Sequence, residues 1–387
     1  MTVALKGNWN YPTTIWAGPG RISELAAACQ RVGMSRPLIV TDAGLLNAPM
    51  IRQASSLLGG AAIFGDVKGN PTAAHVAAGL SVYRAGKHDG VVAMGGGAAL
   101  DTGKVVAFMS GQARPLWDFE DIGDWWTRAN PEGIAPVVAI ATTAGTGSEV
   151  GRAGVILNEE THQKKIIFHP LMMPKVVIAD PELTIGLPRA VTAATGMDAF
   201  IHCFEALCAP GFHPMADGIA LEGMRLIAQY LPRACARGDD LEARAQMLAA
   251  ASMGATAFQK GLGGVHAIAH PVGSWYDTHH GLTNAVILPY VMVHNRAAIE
   301  AKCDLVSRVL DLPVRGFDGL LDWVLALRGS LGIAHSLAGI GVDLRHATVI
   351  GTEAALDPSA GGNPIPVDAA ALEAIFRAAV AGQLQRG

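Results

Sequence analysis

The strongest constraint on the fold is a change of periodicity partway along the chain. Up to Asp180, short β-branched runs alternate with stretches whose apolar residues recur every three or four positions. This alternation is typical of a parallel sheet covered by helices on both sides, which predicts an α/β fold here. The predicted strands lie at 38–41, 61–64, 90–94 and 136–140. The predicted helices lie at 43–58, 72–86 and 99–109, and residues 152–158 and 163–168 predict an added hairpin.

Beyond Asp180 the strand pattern almost disappears. Pro181 and Pro188 bracket a short connector, and the chain then becomes rich in alanine, leucine and methionine. We therefore predict two domains, an α/β domain over 1–184 and an all-helical domain over 185–387. Helical periods lie at 190–208, 215–230, 239–258 and 317–328.

Composition excludes several classes of protein. The 387 residues are 50% hydrophobic and 16% charged, which predicts a large core. With 29 basic and 33 acidic residues and no basic patch, nucleic-acid and anionic membrane partners are not expected. No apolar run approaches the ~20 residues of a membrane span. The N-terminus lacks a signal-peptide core, and five scattered cysteines favour free thiols, so we expect a cytoplasmic protein.

A glycine-rich segment follows the predicted strand at 90–94. Glycines at Gly95, Gly96 and Gly97 allow close backbone approach, and the free amides of a helix start attract phosphate. A tight strand-to-helix turn without any ligand is the alternative interpretation.

A second polar loop, 142–149, follows the strand predicted at 136–140. Its interleaved hydroxyls and glycines suit ribose, pyrophosphate or a carboxamide, although Ser148 could instead cap the next element. Asp42, at the end of the first predicted strand, could accept both ribose hydroxyls and repel a 2′-phosphate, which favours NAD over NADP. Alone, Asp42 is better explained as a cap of the next helix.

Carboxylates and histidines in the second domain recur at metal-ligand spacing. Asp198 and His202 are four residues apart, so they share one helix face, and His266 and His270 repeat this spacing. His280 follows within a short acidic and histidine-rich segment. Imidazoles with a carboxylate suit Zn, Fe, Co or Ni, whereas satisfied core histidines are the alternative.

Taken together, these segments resemble the iron-containing alcohol dehydrogenase family over a region from about Gly18 to Asn295. The resemblance implies a Rossmann-like N-terminal domain, a helical C-terminal domain as in dehydroquinate synthase, and an active site in the cleft between them. Four motifs in order carry it: 95–101 (GGGAALD), 142–149 (TTAGTGSE), 194–199 (ATGMDA) and 261–273 (GLGGVHAIAHPVG).

The resemblance also implies roles for individual residues of the second domain. Asp198, His202, His266 and His280 match the four metal ligands, which usually hold Fe(II), with Zn as the alternative ion. His270 matches a nearby histidine that does not ligate and is a candidate for proton relay.

Roles in cofactor and substrate binding follow in the same way. Positions matching cofactor contacts are Gly95, Gly96, Gly97, Ala98, Thr142, Thr143, Thr146 and Lys164. Asp101 is a catalytic candidate at the nicotinamide end, and Phe258 matches a residue of the substrate pocket. The sequence departs from the family at Ala98 (usually Ser), Gly151 (usually Thr) and His279 (often Pro). These departures affect expected cofactor affinity and substrate range, and none removes a ligand.

The expected function is therefore a metal-dependent, NAD(H)-linked oxidoreductase. It would interconvert a small primary alcohol, diol or hydroxy acid and its aldehyde or ketone by hydride transfer. A homodimer or larger homo-oligomer is expected. A lyase resembling the sugar-phosphate cyclases and a metal-stabilised assembly protein are the alternatives.

Overall fold

A computed structural model describes residues 7–9 and 12–386 of the chain. Contacts divide the protein into two compact units. The first extends to Thr143 and resumes over Gly147–Gly186, and the second comprises Ala144–Thr146 and everything from Leu187 onward. The domain boundary after residue 184 stays a prediction, because a contact unit is not by itself a folding domain.

The first unit is built on a seven-stranded sheet. The described strands of the unit, including two that lie outside this sheet, are β1 (Gly7–Trp9), β2 (Thr14–Ala17), β3 (Pro37–Val40), β4 (Ile63–Phe64), β5 (Gly90–Gly95), β6 (Val137–Ala141), β7 (Ala153–Asn158), β8 (Gln163–Phe168) and β9 (Val176–Ala179). The sheet order is β1-β2-β9-β6-β5-β3-β4, in which only the β1–β2 pairing is antiparallel. β7 and β8 form a separate antiparallel hairpin. The predicted parallel sheet and hairpin are confirmed.

Helices of the first unit follow strands, as the periodicity predicts. They are α1 (Leu25–Arg31), α2 (Pro49–Leu57), α3 (Ala73–Ala85) and α4 (Gly97–Met109). All residues of β5 and β6 are buried, because parallel strands are covered on both faces.

Two predicted elements of the first unit are longer than the structure allows. The helix predicted over 43–58 begins only at Pro49, and the residues before it form turns, with the Ala48 amide donating to the Leu45 carbonyl. Proline lacks an amide hydrogen and has a fixed φ, so it suits the first helical position. The strand predicted over 61–64 begins at Ile63.

The second unit is helical, as predicted, with no strand among its described residues. Its helices are α5 (Arg189–Cys208), α6 (Pro214–Ala236), α7 (Leu241–Ala257), α8 (Gly264–Tyr276), α9 (His280–Val309), α10 (Gly316–Leu331), α11 (Ala347–Leu356) and α12 (Ala369–Ala381). Fifteen of the twenty residues of α5 are buried, so this helix runs through the core of the unit.

Neither a membrane-spanning helix nor a disulfide occurs among the residues that the structure describes. No described helix is long and apolar enough to cross a bilayer. The five cysteines are free thiols, and all but Cys208 are buried. Burial raises the pKa of Cys203 to about 12, so this thiol stays protonated and unreactive.

Candidate active site

The turn between β5 and α4 depends on glycine for two reasons. Gly95 has a φ of 153°, a backbone conformation that residues other than glycine rarely adopt. A Cβ at this position would also lie 2.3 Å from Oδ2 of Asp42. The first turn of α4 begins at Gly97 and Ala98, and the N-cap residue Gly96 has no side chain that could cap it. Backbone amides at the start of a helix are suited to bind an anion.

Asp42 contacts this glycine loop from the end of β3. Its Oδ2 accepts a hydrogen bond of 2.7 Å from the Gly96 amide. Burial raises the pKa of Asp42, although hydrogen bonds from the backbone of Gly96 and Ala99 oppose the rise. Asp42 therefore caps α4 and not the helix that follows it in sequence, α2. Its contact with a ribose stays a prediction.

The hydroxyl-rich loop after β6 lies beside the glycine loop. The Thr142 amide donates to the Gly95 carbonyl at 3.0 Å. Thr143 is close as well, since its Cγ2 lies 3.6 Å from the position that a Cβ on Gly96 would take. β5 and β6 are neighbouring parallel strands, so both loops leave the same edge of the sheet. Thr146 lies in the short segment that groups with the second unit.

Asp101 is fixed by three protein donors. Its Oδ1 accepts from Ser148 Oγ at 2.5 Å and faces Lys104 Nζ at 3.2 Å, while Oδ2 accepts from the Val155 amide at 3.0 Å. The carboxylate thus ties α4 to the second loop and the hairpin. Lys164 lies on that hairpin, in β8. The predicted cofactor roles of Asp101 and Lys164 remain predictions.

Three histidine side chains of the second unit converge on one carboxylate oxygen. The Nε2 atoms of His202, His266 and His280 lie 4.0, 3.9 and 3.8 Å from Oδ1 of Asp198. Asp198, His202 and His266 form a buried group whose donor atoms all lie within 4.8 Å of one another. Donors about 2.1 Å from a tetrahedral ion lie roughly 3.4 Å apart, so a slight contraction would fit one metal ion.

Local structure explains this convergence. Asp198 and His202 are one turn apart on α5, His266 lies in the first turn of α8, and His280 is the first residue of α9. The side chains of the first three are at most 5% exposed, whereas that of His280 is 26% exposed. One carboxylate and three imidazoles, without thiolates, suit Fe(II) or Zn.

Protonation of the histidines is set by burial and by neighbouring acids. Burial lowers the pKa of His202 to about 4, even though the charge of Asp198 opposes this. The His202 imidazole is therefore neutral near pH 7, as a metal ligand must be. For His266, burial also lowers the pKa, but the hydrogen bond and charge of Glu205 outweigh it, and the pKa rises.

Glu205 is a partner of His266 that sequence analysis missed. Its Oε2 lies 2.6 Å from Nδ1 of His266, and its Oε1 accepts from the Val265 amide at 2.8 Å. A carboxylate in this position fixes the ring so that the other nitrogen, Nε2, is free to bind a metal. Its position on α5, three residues after His202, was the available signal.

His270 has a carboxylate partner that sequence analysis also missed. Its Nδ1 lies 2.7 Å from Oδ2 of Asp357, and its ring stacks on that of His280 with centroids 5.4 Å apart. Burial raises the pKa of Asp357, but the charge and hydrogen bond of His270 outweigh this, and the pKa is lowered. Asp357 is 87 residues further along the chain, and no sequence spacing links the two.

The two remaining predicted positions lie in different environments. Phe258 is adjacent to the donor group, with its ring centroid 5.0 Å from that of His202. His279 is exposed, and its Nδ1 accepts from the Leu282 amide at 3.4 Å, so it caps α9. The additional imidazole is thus occupied in holding the start of the helix.

Comparison with known proteins matches most of the chain to one family. The family model for the iron-containing alcohol dehydrogenases matches residues 12–181. The model for the C-terminal part of the Fe-containing alcohol dehydrogenase family matches residues 192–380.

Individual relatives agree with the family models. A 4-hydroxybutyrate dehydrogenase of Cupriavidus necator is 41% identical over 296 residues, 74% of this chain and 77% of that protein. An NAD-dependent methanol dehydrogenase of Bacillus methanolicus is 32% identical over 371 residues, 92% and 95% of the two chains. The crystal structure of a 1,3-propanediol oxidoreductase has a TM-score of 0.88 at 36% identity and covers 94% of this chain and 96% of that one.

These matches confirm the resemblance, the fold class and the enzyme class predicted from the sequence. The predicted cofactors, iron and NAD, agree with the name of the family and of a relative, and the group of Asp198, His202 and His266 can hold a metal. The protein is an alcohol dehydrogenase, and the lyase and assembly alternatives are not favoured. The chain belongs to the iron-containing alcohol dehydrogenase family.

Proposed function

We propose that this alcohol dehydrogenase is metal-dependent and NAD(H)-linked, and that it interconverts a small primary alcohol and its aldehyde. The observation that carries the proposal is the arrangement of three imidazole nitrogens 3.8–4.0 Å from one carboxylate oxygen of Asp198. Acceptors that converge in this way repel one another when no cation lies between them, and such a set is typical of a cation site.

Asp198, His202, His266 and His280 would hold Fe(II), with Zn as the alternative ion. When bound, such an ion supplies Lewis-acid chemistry at the oxygen of the alcohol or carbonyl. His270 would move the proton that accompanies hydride transfer, since it lies beside His280 without belonging to the four donors.

The first unit would bind NAD(H). Backbone amides of the glycine loop would receive the pyrophosphate, and Asp42 would contact the adenosine ribose. Asp101 would act at the nicotinamide end. The cofactor contacts that we propose are Gly95, Gly96, Gly97, Ala98, Thr142, Thr143, Thr146 and Lys164. Hydride transfer itself is chemistry of the nicotinamide, and the protein contributes orientation.

A short substrate with a second polar group is favoured. Relatives act on 4-hydroxybutyrate and 1,3-propanediol, a hydroxy acid and a diol. Phe258, next to His202, would give the substrate an apolar contact. We therefore propose a small diol or hydroxy acid as the substrate.

The lyase alternative requires basic side chains for a substrate phosphate. Between residues 258 and 296 the sequence holds only Lys260 and Arg296. Lys260 Nζ lies 2.6 Å from Oδ1 of Asp217, and Arg296 lies 2.8 Å from Oδ2 of Asp318. Both cations are paired with acids, which supports the dehydrogenase over the lyase.

The test combines elemental analysis of the purified protein with NADH formation on a panel of short alcohols, diols and hydroxy acids. We expect one divalent ion per chain and faster turnover of the diols and hydroxy acids than of unsubstituted alcohols. Turnover that survives complete metal removal would contradict the metal dependence. Equal rates on all alcohols would contradict the substrate proposal alone.

A further inference from the structure

We propose that Asn284 is a positioning residue of the metal site, whose carboxamide ties Asp198 to His266 and His280. The proposal rests on the function proposed above, because it assigns Asn284 a role in binding the same ion. Asn284 lies on α9, one helical turn after His280, and is completely buried.

A single nitrogen of Asn284 reaches three of the four donor atoms. Its Nδ2 donates to Oδ1 of Asp198 at 2.7 Å. The same Nδ2 lies 3.2 Å from Nε2 of His266 and 3.1 Å from Nε2 of His280. These three donors come from α5, α8 and α9, so the carboxamide links three helices at the point where they converge.

The chemistry of the amide explains why it belongs to this position. Three lone pairs that converge without a cation repel one another, and the positively polarised NH₂ group offers two hydrogens to them. Asn284 therefore holds the donors together in the metal-free protein. With an ion bound, its hydrogen bond to Asp198 orients the carboxylate, as residues behind metal ligands commonly do.

The other end of the carboxamide supports a role directed at the donors. Oδ1 of Asn284 is buried and has no hydrogen-bond partner among the described residues. An asparagine buried for structural reasons satisfies both ends, as Asn295 does on the same helix. Its Nδ2 donates to Oδ1 of Asn363, and its Oδ1 accepts from Nδ2 of Asn363, both at 2.8 Å.

Two substitutions separate positioning from simple filling of space. Leucine at position 284 keeps a similar volume but removes the donor, so we expect Asn284→Leu to weaken metal binding by ~10–100-fold. Aspartate places a second carboxylate against Asp198 when no cation is present. Asn284→Asp should therefore lower the Tm of the metal-free protein much more than that of the metal-loaded protein.

The experiment uses the full-length protein, stripped of metal and reloaded with Co(II) or Zn. Metal affinity is measured by competition with a chelator, the visible spectrum of the Co(II) form reports the ligand geometry, and Tm is recorded with and without metal. Asn295→Leu is the matched control, since it removes a buried amide from the same helix but no contact to a donor. We expect it to lower Tm without changing metal affinity or the Co(II) spectrum.

The possible outcomes are distinct. Weaker Co(II) binding and a changed spectrum in Asn284→Leu, with Asn295→Leu unchanged in both, would support the proposal. Wild-type affinity and spectrum in Asn284→Leu would overturn it while leaving the proposed function intact. If Asn284→Leu does not fold, Asn284→Asp provides the test. The proposal would be overturned if the Tm of this variant differs between its metal-loaded and metal-free forms by no more than the Tm of the wild type does. Failure of the wild type to bind any metal would overturn both proposals.

Discussion

The two candidate binding regions are built from different parts of the polypeptide. At the glycine loop the expected ligand contacts are mainly backbone amides, and the nearby carboxylates of Asp42 and Asp101 are already bonded to protein donors. At the donor cluster, which consists of Asp198, His202, His266 and His280, the contacts are side-chain atoms alone. The three histidines converge on the Asp198 carboxylate. A backbone site depends on chain conformation, so it tolerates many substitutions, whereas a side-chain site fails with any one of its members.

The sharpest test of this contrast is removal of a donor. We expect His202→Ala to lose both metal and turnover while NAD(H) binding by the first unit is retained, because the donor set shares one ion. Elemental analysis, steady-state rates and NADH titration measure the three effects. His279→Ala is the matched control, since this exposed neighbour of His280 only caps α9 and should keep metal and rate. Full metal content in His202→Ala would break the comparison.

Substitution of His270 tests whether the cluster separates metal binding from proton transfer. We expect His270→Ala to keep its metal and lose ~10²–10⁴-fold in kcat, the usual contribution of a general acid or base. Asp357→Asn should give a smaller loss, because the imidazole remains but its partner no longer carries a charge. Loss of metal from His270→Ala would show that this residue is a ligand.

A change of backbone conformation at Gly95 should weaken NAD(H) binding at the glycine loop. Gly95→Ala forces a Cβ into a strained φ and against Asp42, so we expect weaker NAD(H) binding with metal retained. The strain should lower the free energy of unfolding by about 1–3 kcal/mol. Calorimetry and NADH titration measure these effects. Gly44→Ala is the control, since its Cβ would meet nothing within 4 Å, and an equal effect there would contradict the explanation.

Cofactor preference should depend on one side chain at the glycine loop. We expect kcat/KM to be higher with NAD(H) than with NADP(H), and Asp42→Gly to narrow the difference by removing the charge that repels a 2′-phosphate. Asp124→Gly removes an exposed acid of the same unit and should leave the ratio unchanged. Wild-type preference for NADP(H) would mean that Asp42 does not face the ribose.

The smallest effect is expected at Ala98, where the backbone amide already provides the proposed contact to phosphate. Ala98→Ser would add one side-chain hydrogen bond to phosphate, so the free energy of NADH binding should become more favourable by about 0.5–1.5 kcal/mol. Fluorescence titration of NADH measures this change. Weaker binding in Ala98→Ser would indicate that the first turn of α4 has no room for the hydroxyl.

Sequence patterns predicted what is local in the chain and missed what is distant. The four-residue spacing of Asp198 and His202 is a property of one helix, so it could be identified directly. The pairing of His270 with Asp357 joins residues 87 apart, and only tertiary packing brings them together. The helix predicted from residue 43 was wrong at its start, because apolar spacing continues through a turn that ends at Pro49.

His280 differs from the other donors in being the first residue of α9 and the most exposed of the four. Helix ends fray more readily than helix interiors, so His280 is the donor that can leave with the least disturbance of the core. Exchange of the ion with solvent should therefore proceed by detachment at this residue. The rate of that exchange, unlike the affinity, should depend on how firmly the His279 cap holds the first turn.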